Sequence, residues 1–78
     1  MATLRLFGPA REAAGVARAD VSGRTVSEVL STAESLYGEQ FAQTVTISRV
    51  WLNGESVTAD APVTDSDEVA VVPPVSGG

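Results

Sequence analysis

The sequence predicts an α+β fold: one mixed sheet of four to five strands with one main helix packed on one face. Three observations predict it. Apolar and polar residues alternate in short runs at Thr3–Phe7, Ile47–Leu52 and Glu68–Val72, the period of half-buried strands. After the first of these runs, Val26, Val29, Leu30, Ala33, Leu36 and Tyr37 recur at helical spacing behind a capping box formed by Thr25 and Glu28. Asn53-Gly54 then closes the second run with a strong hairpin signal, since both residue types tolerate positive φ.

Taken in order, Thr3–Phe7 sets Leu4 and Leu6 against Thr3, Arg5 and Phe7, and Gly8-Pro9 breaks it. Proline suits the first position of a helix and Gly15 a left-handed stop, so Pro9–Ala14 is expected to make a turn or two, stable only by packing. Ala17–Val21 alternates weakly and is expected as a second strand, closed by the turn Ser22-Gly23-Arg24. In the main helix the Thr25 cap contributes about 1 kcal/mol, and Gly38 ends the element. Glu39–Thr46 reads as a short helix carrying Phe41 that gives way to a loop.

In Ile47–Leu52, Val50 and Leu52 share one face while Arg49 and Trp51 share the other. A short return strand is expected around Ser56–Val57. Pro62-Val63 leads to the acidic turn Asp65-Ser66-Asp67, and the last strand sets Val69 and Val71 against Glu68 and Ala70. A helix between strands crosses over one face of a sheet and leaves the other open. The order strand, strand, helix, strand, short strand, strand is that of a β-grasp roll over residues 1–72. Beyond it, Pro73-Pro74 cannot donate ladder hydrogen bonds and favours extended chain. Val75-Ser76-Gly77-Gly78 offers no regular structure, so residues 73–78 are expected to form an extended, flexible tail.

Composition narrows the function. The 78 residues make one domain, of a size that buries only about 60% of its unfolded surface. It contains no cysteine and no histidine, which excludes disulfides and thiolate metal sites. With lysine also missing, the usual general bases and activated nucleophiles are gone, and no self-contained catalyst is predicted. Asp65 and Asp67 offer too few ligands for a calcium loop and are expected to form a solvated turn bonded to its own backbone. The net charge is −5 and all five basic residues are arginines spread along the chain. Without a basic stripe, nucleic acid is not an expected partner, and an acidic domain suits a basic protein surface. No apolar run is long enough for a membrane span. Arg5 interrupts the first apolar stretch, wrong for a signal peptide, so a cytoplasmic location is expected. Alternation places Phe7, Trp51, Ala70 and Val72 on the helix-free face, where exposed aromatics suggest a docking patch.

Three stretches carry a family resemblance. Phe7-Gly8-Pro9-Ala10-Arg11-Glu12-Ala13-Ala14-Gly15 is similar to an aromatic residue followed by a short Arg-Glu helix. Asp65-Ser66-Asp67-Glu68-Val69-Ala70 is similar to an acidic turn into a last strand, and Pro73-Pro74-Val75-Ser76-Gly77-Gly78 to a terminal signature. Together they resemble the small subunit of molybdopterin synthase, within the ubiquitin-like sulfur carriers. Ser66 stands where the family more often has glycine, a change that costs little if φ stays negative there. Ser35–Ser48 has no recognisable match.

The resemblance implies that a ubiquitin-activating-like adenylyltransferase uses ATP to adenylate the carboxylate of Gly78. A sulfur donor then makes a thiocarboxylate, and the molybdopterin synthase large subunit passes the sulfur to a pterin precursor. The chain itself binds no cofactor in this scheme, and it acts only with the large subunit. Val75, Ser76 and Gly77 thread the partner's channel, where the lack of side chains at Gly77 and Gly78 lets channel walls approach the backbone. Arg11 becomes a possible partner contact. Related carriers that serve thiamine or cysteine synthesis, and a modifier joined to lysines through Gly78, remain alternatives. Thiamine carriers usually lack the Arg-Glu helix and the Pro-Pro-Val-Ser lead-in.

Overall fold

In the computed structural model, which describes residues 1–73, five strands form one sheet in the order β2-β1-β5-β3-β4. The strands are β1 (Ala2–Leu6), β2 (Arg18–Val21), β3 (Arg49–Leu52), β4 (Glu55–Ser56) and β5 (Glu68–Val72). The helices are α1 (Gly8–Ala14), α2 (Val26–Tyr37) and α3 (Glu39–Thr46). Central β1 and β5 run parallel, and the other neighbours are antiparallel. This is the mixed β-grasp sheet expected from the sequence.

Alternation on the central strands builds the core. Leu4 and Leu6 of β1 and Val69 and Val71 of β5 are fully buried against Val26, Val29 and Ala33 of α2. Each such valine or leucine contributes about 1.5–3 kcal/mol. The α2 cap forms as expected at Thr25, whose Oγ1 accepts from the Glu28 N–H at 3.1 Å. The reciprocal bond differs from the expected pattern: Glu28 Oε1 accepts from the N–H of Arg24, one residue before the cap.

Gly23 sits hard against this first turn. A Cβ there would lie 2.6 Å from the Val29 nitrogen and 2.7 Å from its Cγ2. Asn53 and Gly54 take φ 51° and 83°, turning the β3–β4 hairpin. Ser66 is not among the positive-φ positions, so its substitution for glycine carries no strain.

Four expectations change. Glu39–Thr46 is helical throughout, because Phe41 is fully buried and Val45, one turn on, packs at the edge of the core. The Phe41 ring meets Tyr37 edge-on at 5.3 Å. Ile47 becomes the cap of that helix, which shortens β3 to start at Arg49. The return strand is Glu55–Ser56, one residue earlier than expected. Leu36 is 64% exposed rather than buried. It lies about 80° round the helix from Val26 at roughly 100° per residue, on the rim of the apolar stripe.

Candidate docking face and tail root

Strand register brings the predicted docking residues together. Ala70 of β5 lies between Arg5 of β1 and Trp51 of β3. One step further along β5, Val72 pairs with Arg49. Phe7 follows β1 in extended geometry, φ −130° and ψ 151°, so alternation carries its ring to the same face. Its N–H donates to the Val71 carbonyl at 3.1 Å. The Arg5 guanidinium lies 5.4 Å above the Phe7 ring, a cation–π geometry. Phe7 and Trp51 are 38% and 36% exposed, while Ala70 and Val72 are half-buried. The helices cover the opposite face of the sheet, where the core lies.

Arg11 stands apart from this set, exposed on α1. Sequence reasoning missed the gathering of arginines. Arg18 of β2 lies directly opposite Arg5, so Arg5, Arg18 and Arg49, three of the five basic residues, share the open face. Parity within a strand already tied Arg49 to Trp51 and Arg5 to Phe7. Placing Arg18 needed the strand pairing.

The end of the face away from the tail carries the opposite charge. Asp20 and Glu68 both register with Thr3, and Glu68 pairs with Arg5 at 3.6 Å, an exposed contact worth about 0–1 kcal/mol. Beside them Asp67 clips the hairpin to β5. Its carboxylate accepts from the Asn53 side-chain amide at 2.9 Å and from the Thr64 N–H at 2.8 Å. The Asn53 side-chain Oδ1 in turn accepts from the Glu68 N–H. The Asn53 bond, then the Thr64 backbone bond, hold the Asp67 carboxyl below its ordinary range. Asp65 is lowered by a hydrogen bond and charge attraction from the Met1 ammonium, 2.8 Å away. The turn is structural: Asp67 bonds the local Thr64 N–H as expected, but the Asn53–Asp67 and Met1–Asp65 contacts are long-range and differ from the expected turn bonded only to its own backbone. Among the described residues, no group of His, Cys, Asp or Glu is placed to hold a metal ion.

The tail leaves at the basic end. Pro73 follows Val72 and packs over Gly8, where a Cβ would come within 3.3 Å of Pro73 Cγ. Gly8 also takes φ +57°, so it serves as a flat seat for the tail's first residue. The remaining candidate residues, Val75, Ser76, Gly77 and Gly78, lie outside the described residues.

A mixed β-grasp sheet covered by helices on one face and open on the other is the fold of ubiquitin-like proteins. Residues 4–78 match the ThiS family, and the chain belongs to that family of ubiquitin-like sulfur carriers. Among solved structures it is similar to the small archaeal modifier protein 1 of Methanosarcina acetivorans, at 28% identity and TM-score 0.81, covering 99% of this chain and 95% of that one. It is similar to CysO in the BexX/CysO complex of Amycolatopsis orientalis, at 26% identity and TM-score 0.84 over 100% of both chains. A chain provisionally assigned as molybdopterin converting factor subunit 1 of Pyrococcus furiosus matches at 25% identity and TM-score 0.84, covering 95% of this chain and 97% of that one. Among curated proteins none matches. No helix among the described residues is long and apolar enough to cross a membrane.

Proposed function

We propose that this chain carries sulfur as a thiocarboxylate on Gly78 and delivers it to a pterin precursor in molybdopterin synthesis. The reading is carried by the sequence Pro73-Pro74-Val75-Ser76-Gly77-Gly78 that follows β5, together with the Arg11-Glu12 pair of α1. A carboxylate is a poor electrophile because its charge is delocalised, so it must become a mixed anhydride before sulfur can attack. An adenylyltransferase acting on Gly78 supplies that activation and consumes the ATP, and the chain needs no cofactor of its own. Val75, Ser76 and Gly77 thread the partner's channel. The body docks through Phe7, Trp51, Ala70 and Val72, with Arg11 as a further contact, first on the adenylyltransferase and then on the molybdopterin synthase large subunit.

Incubation with ATP, a candidate adenylyltransferase and a sulfur donor tests this by intact mass. The expected product is the full chain with one oxygen replaced by sulfur, competent to form a dithiolene when the large subunit and pterin precursor are added. A chain extended by one residue beyond Gly78 should not load. Loading of the extended chain, or sulfur-free protein under every pairing, refutes the reading.

The likeness to the archaeal modifier and to CysO favours a second reading, attachment of Gly78 to lysines of other proteins or sulfur delivery to a cysteine precursor. Conjugates of higher mass in a lysate, or sulfur transfer to that precursor in place of the pterin, would select it.

A further inference from the structure

The charge of the open face is not the charge of the protein. Divided by register, the half nearest the tail holds Arg18, Arg5, Ala70, Trp51 and Ser56 in one row and Phe7, Val72 and Arg49 in the next. None of these positions carries a carboxylate, although the chain has ten acidic residues against five basic ones. The carboxylates of this face, Asp20 and Glu68, lie in the row beyond. Segregation of this kind is invisible in the net charge of −5.

The Arg5–Arg18 pair works against stability. Like charges directly opposite on adjacent antiparallel strands are destabilising, and only Arg5 of the two has a carboxylate partner among the described residues. Real proteins break such local rules chiefly at functional sites, and here Glu68 offsets the repulsion only on the Arg5 side. Arginine and tryptophan are also the residue types most enriched where interfaces hold their binding energy.

Resting on the function proposed above, we propose that the basic half of this face docks on an acidic, apolar-centred surface of the adenylyltransferase. Arg18 and Arg49 pair with its carboxylates on either side of Trp51 and Ala70. The partner surface is therefore acidic, opposite to what the overall charge suggests. Arg49 stands beside Val72, the last strand residue before the tail, so these ion pairs form next to the point where the tail leaves for the nucleotide.

The test uses the full chain and the ubiquitin-activating-type adenylyltransferases of the source organism, with ATP–pyrophosphate exchange as readout. Arg18→Glu and Arg49→Glu should each raise KM for the chain by about tenfold or more while kcat at saturation holds. Arg18→Lys should retain most of the affinity, and Arg24→Glu, a reversal off this face, should change KM by less than about threefold. Wild-type KM should climb with salt more steeply than that of Arg18→Glu. Arg18→Glu should also melt at a higher temperature than wild type, since it turns a cross-strand repulsion into an attraction. Unchanged KM in both glutamate variants, or an equal loss in Arg24→Glu, overturns the proposal. Normal exchange with the expected KM pattern but no sulfur product would instead sink the sulfur-carrier reading and leave the docking assignment standing.

Discussion

Neighbouring residues of β5 should separate stability from docking. Val71 is fully buried and Ala70 faces outward between Arg5 and Trp51. Val71→Ala removes two methyl groups, about 1.6 kcal/mol of transfer free energy. The residual cavity in a sheet packed against α2 brings the loss to about 2–3 kcal/mol. For a domain of this size that corresponds to a fall in Tm of about 10–20 °C. Ala70→Glu should alter stability by no more than about 0.5 kcal/mol, because Arg5 lies next to it and solvent reaches the site. Docked, however, that carboxylate is buried at the centre of the contact, which should weaken the complex by about thirtyfold or more. Thermal melts followed by circular dichroism and titration against the adenylyltransferase read the two effects independently. A Val71→Ala variant melting within about 5 °C of wild type, or an Ala70→Glu variant that binds undiminished, refutes the assignment of faces.

Gly23→Ala should destabilise by about 1–3 kcal/mol, since the new Cβ meets the Val29 nitrogen at 2.6 Å; a denaturant midpoint equal to wild type would contradict the close approach. The lowered pKa of Asp67 gives a signed acid dependence: its contribution is complete above its unfolded pKa of about 3.9 and is lost as pH falls through the still lower folded value. Asp67→Asn should therefore reduce stability at neutral pH and flatten the decline below about pH 4, and parallel wild-type and variant profiles would refute the clip. Trp51→Ala and Phe7→Ala should raise KM for the adenylyltransferase more than their Tm changes account for. Equal affinity with a lowered Tm would return both side chains to a purely structural role.

Local signals carried much of the fold. Parity alone divided Val50 and Leu52 from Arg49 and Trp51, and the observed burial follows that division. The Thr25 cap and the Asn53-Gly54 turn were legible because each depends on residues close in sequence. The α3 helix was obscured by Thr44 and Thr46, a residue type that favours local alternatives to helix. Both instead bond back within the helix, to the carbonyls of Gln40 and Gln43. Long-range partnerships left no local trace: Asn53 with Asp67 and Arg18 with Arg5 each need the topology first. The same division holds on the open face. Alternation alone placed Phe7, Trp51, Ala70 and Val72 there together with Arg5 and Arg49, whereas Arg18 joins them only when β2 is laid beside β1.

β5 ties these findings together. Val69 and Val71 anchor it in the core, Ala70 and Val72 face the open side, and its end passes directly to Pro73 on Gly8. A partner that grips the open face therefore also fixes where the tail begins and the direction in which it departs. The residues from Pro73 to Gly78 can span at most about 20 Å when fully extended. Any enzyme that acts on Gly78 must hold its reacting centre within that reach of the docked face. In the proposed complex, binding energy gathered at Trp51 and the arginines, remote from the chemistry, holds the carboxylate near the nucleotide and lowers the entropic cost of their meeting. On that proposal a chain without lysine, cysteine or histidine contributes position to acyl activation, and its partner contributes the catalytic groups.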